Sequence, residues 1–241
     1  MTALAERYLK KYFGAEVHPY RTFEDEVRRL LRPEHTLLDA GCGRGAPVLL
    51  KFRGHAARLI GVDLVDFEAG LSGIDLLQGD LGRMNIDASS IDIVMSRSVM
   101  EHVADPLGVY KEINRILRPG GFFVFLTPNL WDYASVIAKI VPNKMHPWIV
   151  ARTEGRAPED VFPVCYKTNT RRAVYKWAQR TGFEVETSRY LGQYPGYFMF
   201  NGFLFLIATA YEKMISRFET LGFLRGWLFV VLRKPSKAET G

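Results

Sequence analysis

Short apolar runs alternate with amphipathic stretches of helical period from residue 22 to residue 128. In TFEDEVRRLL (22–31), Phe23, Val27, Leu30 and Leu31 share one face before Pro33, which predicts a helix capped by Thr22 with Asp25 at its third position. HTLLDA (35–40) predicts a buried strand, and the turn GCGRG after it leads into a short helix with Pro47 near its start. RLIGVD (58–63), LLQGD (76–80) and IDIVMSR (91–97) predict three further strands. DPLGVYKEINRILRPGG (105–121) has the clearest helical pattern. Asp105 caps it, Pro106 takes its first turn, and Leu107, Tyr110, Ile113, Ile116 and Leu117 form the buried face before the stop at Pro119-Gly120-Gly121. GFFVFLTP (121–128) is apolar without interruption, as central parallel strands are. This alternation predicts a parallel sheet with crossover helices.

Past Pro128 the rhythm breaks. NLWDYASVIAKIV (129–141) reads as a helix ending at Pro142, followed by an irregular stretch to Thr170 that contains Pro147, Pro158 and Pro163. A loop that long predicts a lid or a binding element. Regularity returns with a helix over 171–181, capped by Thr170 and stopped by Gly182, and a strand over 183–190. A final helix is expected over roughly 197–221 and a last strand over 227–234.

The 241 residues are 48% hydrophobic and 24% charged, enough apolar material for one sizeable core. A net charge of +6 and a pI near 9.3 favour anionic partners. The charge is scattered, as at Arg28/Arg29, Arg171/Arg172 and Arg233/Lys234, so no nucleic-acid partner is expected. Two cysteines, Cys42 and Cys165, make neither a disulfide framework nor a metal spacing, and suit a reducing compartment. The opening MTALAERYLKKYF is charged from Glu6 onward and lacks the apolar core of a signal peptide, so a cytoplasmic location is expected. The apolar run YFMFNGFLFLIATA (197–210) is too short for a bilayer span, which needs about 20 residues. A helix apolar all round is buried or set against lipid. Burial against the sheet is the simpler expectation. The alternative is a lipophilic ligand or peripheral membrane contact, helped by Arg217, Arg225, Arg233 and Lys234.

The glycine turn carries the chemistry. Gly41-Cys42-Gly43-Arg44-Gly45-Ala46 fits the dinucleotide pattern, with Asp63 twenty residues past Gly43 as a ribose acceptor. Asp39, two residues before the first glycine, argues against it, because a pyrophosphate there would face a carboxylate. A ligand with an ammonium and a sulfonium in place of phosphates suits the same carboxylate, and S-adenosyl-L-methionine is such a ligand. Asp80, ending the third predicted strand, can accept from an adenine amine. Three acids thus fall at three successive strand ends.

LLDAGCGRG, IGVDL, LLQGDLGRM, IDIVMSRSVMEHVADP and ILRPGGFFVFLTPN resemble the successive motifs of the class I S-adenosylmethionine-dependent methyltransferases, most closely the subgroup that includes small-molecule and quinone methyltransferases. The resemblance implies a doubly wound α/β fold, Rossmann-like, with seven mostly parallel strands, an antiparallel last strand and a lid insertion after the fifth. It implies one domain over 1–241: a helical cover (1–34), a donor-binding core (35–128), a lid and acceptor insertion (129–170), and C-terminal helices with the last two strands (171–234). It also implies that Asp39, Gly41, Cys42 and Gly43 hold the methionine part, Asp63 and Leu64 the ribose, Asp80 and Leu81 the adenine, and that Ser96 lies beside the sulfonium.

Methyl transfer from a sulfonium is an in-line displacement, so a general base is needed only where the acceptor must lose a proton. His102, after the fourth strand, and His146, in the predicted lid, are the candidates; each also has a plain structural reading. Tyr20 and Arg21 before the first predicted helix, with Tyr133, Trp148 and Tyr166 in the insertion, are candidate acceptor contacts. Trp131, Tyr133, Ile137, Ile140, Val141, Met145, Trp148 and Phe162 make that insertion rich in large apolar groups, which predicts a largely apolar acceptor pocket and a small, hydrophobic acceptor, apolar or lipid-tailed. No metal is expected. The alternatives are a protein of the same fold that binds the nucleoside without turnover, an NAD-linked oxidoreductase disfavoured by Asp39, and a nucleic-acid methyltransferase whose Asn-Pro-Pro-Tyr type of signature is missing after the fourth strand.

Overall fold

The computed structural model describes residues 1–14, 16, 18–133, 136 and 162–236. Most of the helix expected over 129–141, and the part of the insertion that holds His146 and Trp148, lie outside the described residues. Seven strands, β1 (Thr36–Ala40), β2 (Arg58–Asp63), β3 (Asp75–Gln78), β4 (Ile91–Arg97), β5 (Leu117–Pro128), β6 (Glu184–Leu191) and β7 (Trp227–Arg233), form one sheet in the order β3-β2-β1-β4-β5-β7-β6. The first five run parallel, and β7 lies antiparallel between β5 and β6. The order reverses between β1 and β4, the switch point at which open α/β sheets bind ligands at their carboxyl ends. Asp39 stands there, paired with Gly61 on β2 and Met95 on β4.

Strand periodicity sorts the core into two layers. Leu38, Ile60, Val94, Phe123, Phe125 and Val230 face α3 (Pro106–Ile116) and α4 (Arg171–Thr181), whose Tyr110, Ile113, Val174 and Ala178 are buried with them. Leu37, Leu59, Ile93, Met95, Val124 and Phe229 face the other way, against Phe23 and Val27 of α2 (Pro19–Leu30) and the 3-10 turn Leu49–Phe52. Each such side chain contributes about 1.5–3 kcal/mol by leaving water. A third cluster joins α1 (Ala3–Phe13) to α5 (Gly202–Arg217) through Ala5, Phe13, Met199 and Phe205.

Several elements depart from expectation for identifiable reasons. α2 begins at Pro19, because the His18 ring accepts the Tyr20 N–H at 3.2 Å and Pro19 needs no partner for a missing amide; Thr22 is not the cap. Asp105 stands at the cap position of α3 but makes no side-chain capping bond. Pro119-Gly120-Gly121 is not a loop before β5. That strand starts at Leu117, opposite Ile91, and these residues form an irregularity in it, with Gly120 at φ +83°, before Phe122 pairs with Ile93. β3 ends at Gln78, so Asp80 lies in the turn beyond it. The final helix is divided: Asn201 caps α5 by accepting from Phe203 and Leu204, and 3-10 turns Gly196–Phe198 and Glu219–Leu224 flank it. α5 packs on α1 and these turns rather than beneath the sheet, so the expected burial against the sheet is not found.

Candidate active site

The turn after β1 is shaped by close approach. Gly41 has φ +87°, and a Cβ there would stand 2.2 Å from the Val99 side chain, so both backbone and space demand glycine. Gly43 has φ +73° and open space on its side-chain face. Cys42 is buried, its sulfur filling the space left by Gly61, where a Cβ would lie 2.7 Å away. Burial pushes its thiol well above the ordinary range, so it is an inert packing group and not a nucleophile.

Asp63 ties this turn to the end of β2. One carboxylate oxygen accepts the Gly43 N–H at 2.7 Å, and the other accepts Leu64 N–H at 2.7 Å and Val65 N–H at 3.3 Å. A carboxylate has about four acceptor positions, so three backbone donors leave room for a hydroxyl. Leu64 beside it is 57% exposed, an apolar surface left bare at the sheet's edge. Gly79 N–H donates to the Asp63 carbonyl at 2.9 Å and draws the end of β3 alongside. Asp80 is exposed there, holding its own turn through Gly82 N–H at 2.6 Å, and Leu81 packs against the core.

Asp39 is buried at 2% exposure, and its Oδ2 has no hydrogen-bond partner. Burial raises its pKa to about 7, with Asp63 adding to the rise and Arg97 opposing it. Arg97, at the end of β4, anchors a cluster that sequence spacing does not reveal. Its guanidinium donates to Glu24 at 3.1 Å and lies 4.2 Å over the Tyr20 ring, while Lys51 reaches the same Glu24 oxygen at 2.6 Å. Helix α2 is thereby fastened to the end of β4 and to the 3-10 turn, beside an open cavity of about 420 Å³ lined in part by His18, Tyr20, Arg21 and Arg97. Desolvation, with Arg97 second, lowers the His18 pKa. Tyr20 also packs edge-on against Trp227, whereas Arg21 is exposed and pairs with Asp25.

At the carboxyl ends of β4 and β5 the placements differ from residue to residue. Ser96 is fully buried, and its hydroxyl donates to the Ala40 carbonyl at 2.7 Å. His102 is half-buried. Its Nδ1 lies 3.1 Å from the Pro163 carbonyl and its Nε2 3.8 Å from the Glu101 carboxylate. Glu101, buried, accepts from Thr127 at 2.9 Å, and Thr127 accepts from Asn169 at 2.8 Å. The Glu101 carbonyl also accepts Cys165 and Tyr166 N–H at 2.7 and 3.0 Å, so the returning segment is pinned beside His102, with Tyr166 at φ +50°. Tyr133 stacks on Phe198 and meets Tyr211 edge-on. Nearby Glu212 of α5 is 1% exposed with both carboxylate oxygens unpartnered, and burial raises its pKa to about 8. Among the described residues no group of three or more His, Cys, Asp or Glu side chains could hold a metal.

Comparison with known proteins agrees with this geometry. The family described as "Methyltransferase domain" matches residues 13–188, nearly three-quarters of the chain. A sterol 24-C-methyltransferase of Gibberella zeae is 33% identical over 106 residues, covering 39% of this chain and 27% of the relative. A trans-aconitate 2-methyltransferase of an Azoarcus species is 30% identical over 153 residues, covering 57% of this chain and 59% of the relative. The chain spans about a third of the length of the first curated relatives it matches. The crystal structure of an S-adenosylmethionine-dependent methyltransferase from Mesorhizobium loti superposes with a TM-score of 0.57 at 19% identity, over 88% of this chain and 97% of that one. The sheet order, the glycine turn and its strand-end acids define the class I S-adenosylmethionine-dependent methyltransferases. The chain belongs to the methyltransferase-domain family. The residues present fit the cofactor of that class: a buried carboxylate with an unpartnered oxygen, an open glycine face, a second carboxylate with acceptor capacity to spare and a bare leucine adjoin one another.

Proposed function

We propose that the chain transfers a methyl group from S-adenosylmethionine to O, N or C of a small acceptor with a large apolar part, held over the carboxyl ends of β4 and β5. The observation that carries the donor half is Asp39: a buried carboxylate oxygen without a partner, at a sheet switch point, calls for a cation. Asp63 would accept a ribose hydroxyl at its remaining acceptor position, Asp39 would hold the ammonium end, and the Gly41–Gly43 turn would admit the donor against the backbone. Leu64 would cover one face of the adenine and Asp80 would accept from its amine. The cofactor, when bound, supplies an electrophilic methyl on a sulfonium. The protein's part is to orient the acceptor and keep water out.

The acceptor half rests on apolar side chains left bare at this end of the sheet. Phe162, whose ring lies 6.2 Å from His102, is 39% exposed, Val164 beyond Pro163 is 42% and Trp131 after β5 is 53%. The sterol substrate class named for the Gibberella relative supports an apolar acceptor. His102 would act as its base. A carbonyl can only accept, so the Pro163 contact puts the proton on Nδ1 and leaves the Nε2 lone pair for the acceptor's proton, with Glu101 near enough to stabilise the resulting cation. A screen of hydrophobic alcohols, phenols and amines with methyl-labelled donor tests the reading. Labelled product from an apolar acceptor is the expected result. Donor binding with no product across the screen would instead favour a nucleoside-binding protein without turnover.

A further inference from the structure

The outer face of α5 does not behave as a solvent-facing surface. Its inner face buries Phe205, Ala208, Thr209, Glu212 and Ile215. On the opposite side Phe203 is 69%, Ile207 54% and Met214 48% exposed, and Phe200 at 66% and Phe218 at 51% continue the row beyond the helix ends. Positions 203, 207 and 214 recur at helical spacing, so these three side chains share one face of the helix. Together they present roughly several hundred Å² of contiguous apolar surface, at or above the largest patch of an ordinary monomer.

We infer that this face is a docking surface for an anionic membrane. Three features select lipid over other occupants. The stripe lies on the outside of a helix that rests on α1 and its flanking turns, a convex ridge suited to the plane of an interface rather than a groove that receives a chain. The two packed helices carry exposed basic side chains: Arg7, Lys10 and Lys11 on α1, and Arg217 at the end of α5. Apart from exposed Glu6 on α1, the acids on these helices and their flanks are engaged or neutralised, since Glu16 pairs with Lys213, Glu219 pairs with Arg225, and buried Glu212 favours its protonated form. Long basic side chains around an apolar stripe reach phosphate headgroups while the stripe enters the acyl boundary. No helix among the described residues is long and apolar enough to cross a membrane, so the contact is peripheral. The inference is independent of methyl transfer, although a lipid-tailed acceptor would reach the carboxyl edge from such a surface.

Flotation of the full chain with phosphatidylglycerol-containing vesicles, against pure phosphatidylcholine vesicles, tests it. The parent is expected to float with the anionic vesicles and to be released as salt rises. The double variant Phe203→Ser/Ile207→Ser removes two exposed side chains and should lower vesicle binding by about tenfold or more. Lys10→Glu/Lys11→Glu should abolish the preference for anionic lipid. Circular dichroism and S-adenosylhomocysteine affinity should match the parent in both, which shows that the variants fold. A parent that does not float, or a Phe203→Ser/Ile207→Ser variant that floats as well as the parent, would overturn the inference. A parent dimer that this variant converts to monomer, with no flotation, would assign the face to a second copy instead.

Discussion

Asp39→Asn should weaken donor binding and stabilise the empty protein at the same time. The carboxyl is buried, carries an unpartnered oxygen and has a pKa near 7. A folded-state pKa above the unfolded value of 3.8 means that the folded protein prefers the neutral acid. Stability from this group is therefore full below about pH 4 and falls as pH rises to about 7, on the order of 2–4 kcal/mol in all. Asn keeps the shape without the charge and should recover much of that loss at neutral pH. Binding has the opposite sign. An ammonium needs the carboxylate, so affinity should rise about tenfold from pH 6 to pH 8, as proton competition at a pKa near 7 disappears. The variant should lose about 1.5–3 kcal/mol of affinity at neutral pH, the usual worth of a hydrogen bond to a charged group, and its pH profile should be flat. Calorimetric titration with S-adenosylmethionine and S-adenosylhomocysteine over this range, beside thermal melts, measures both effects. The two ligands share the ammonium and differ in the sulfonium, so equal slopes locate the contact at the amino-acid end. Unchanged affinity and an unchanged pH slope in Asp39→Asn would refute the reasoning.

Glu212 is neutral in the fold by the same logic: its pKa of about 8 makes stability fall between about pH 4.5 and pH 8. Glu212→Gln should raise stability at pH 8 by roughly 1–3 kcal/mol and flatten that fall in denaturant melts. Gly41→Ala meets both a positive φ and the Val99 side chain, and should cost roughly 2–4 kcal/mol of stability in the same assay. Glu24→Ala leaves Arg97 and Lys51 without their shared acceptor and should lower stability by about 1–3 kcal/mol, read as a fall in melting temperature. His102→Gln should slow transfer to a hydroxyl acceptor by about 10²–10⁴ in kcat with donor affinity unchanged, checked by initial rates and titration.

Elements with a strong local signal were legible in the sequence. β1, β2 and β4 are apolar runs bounded by polar turns and lie where the pattern puts them. α4 carries both of its signals, with Thr170 accepting from Ala173 and Gly182 in the left-handed region. Elements decided by tertiary contact were not. Edge strand β3 has no buried residue to mark its end, which hides the fact that Asp80 lies beyond it. The 14-residue apolar run 197–210 reads as one buried helix, yet Asn201 caps it midway and only one face finds a partner. At the site, Asp39 and Asp63 could be picked out by their spacing from the glycine turn. Their states could not, because the bonds from Asp63 to Gly43 and the isolation of Asp39 arise only when strands meet. The Glu24–Arg97 pair joins residues 73 positions apart, and no local pattern announces it.

Titration of the full chain with S-adenosylhomocysteine, repeated with Asp63→Ala, tests the central claim most directly. One molecule should bind per chain, and loss of the Asp63 carboxylate should weaken binding by roughly 1–3 kcal/mol, about five- to 150-fold. Absence of binding by the parent, or an Asp63→Ala variant that binds as tightly as the parent, would contradict the placement of the donor at these strand ends.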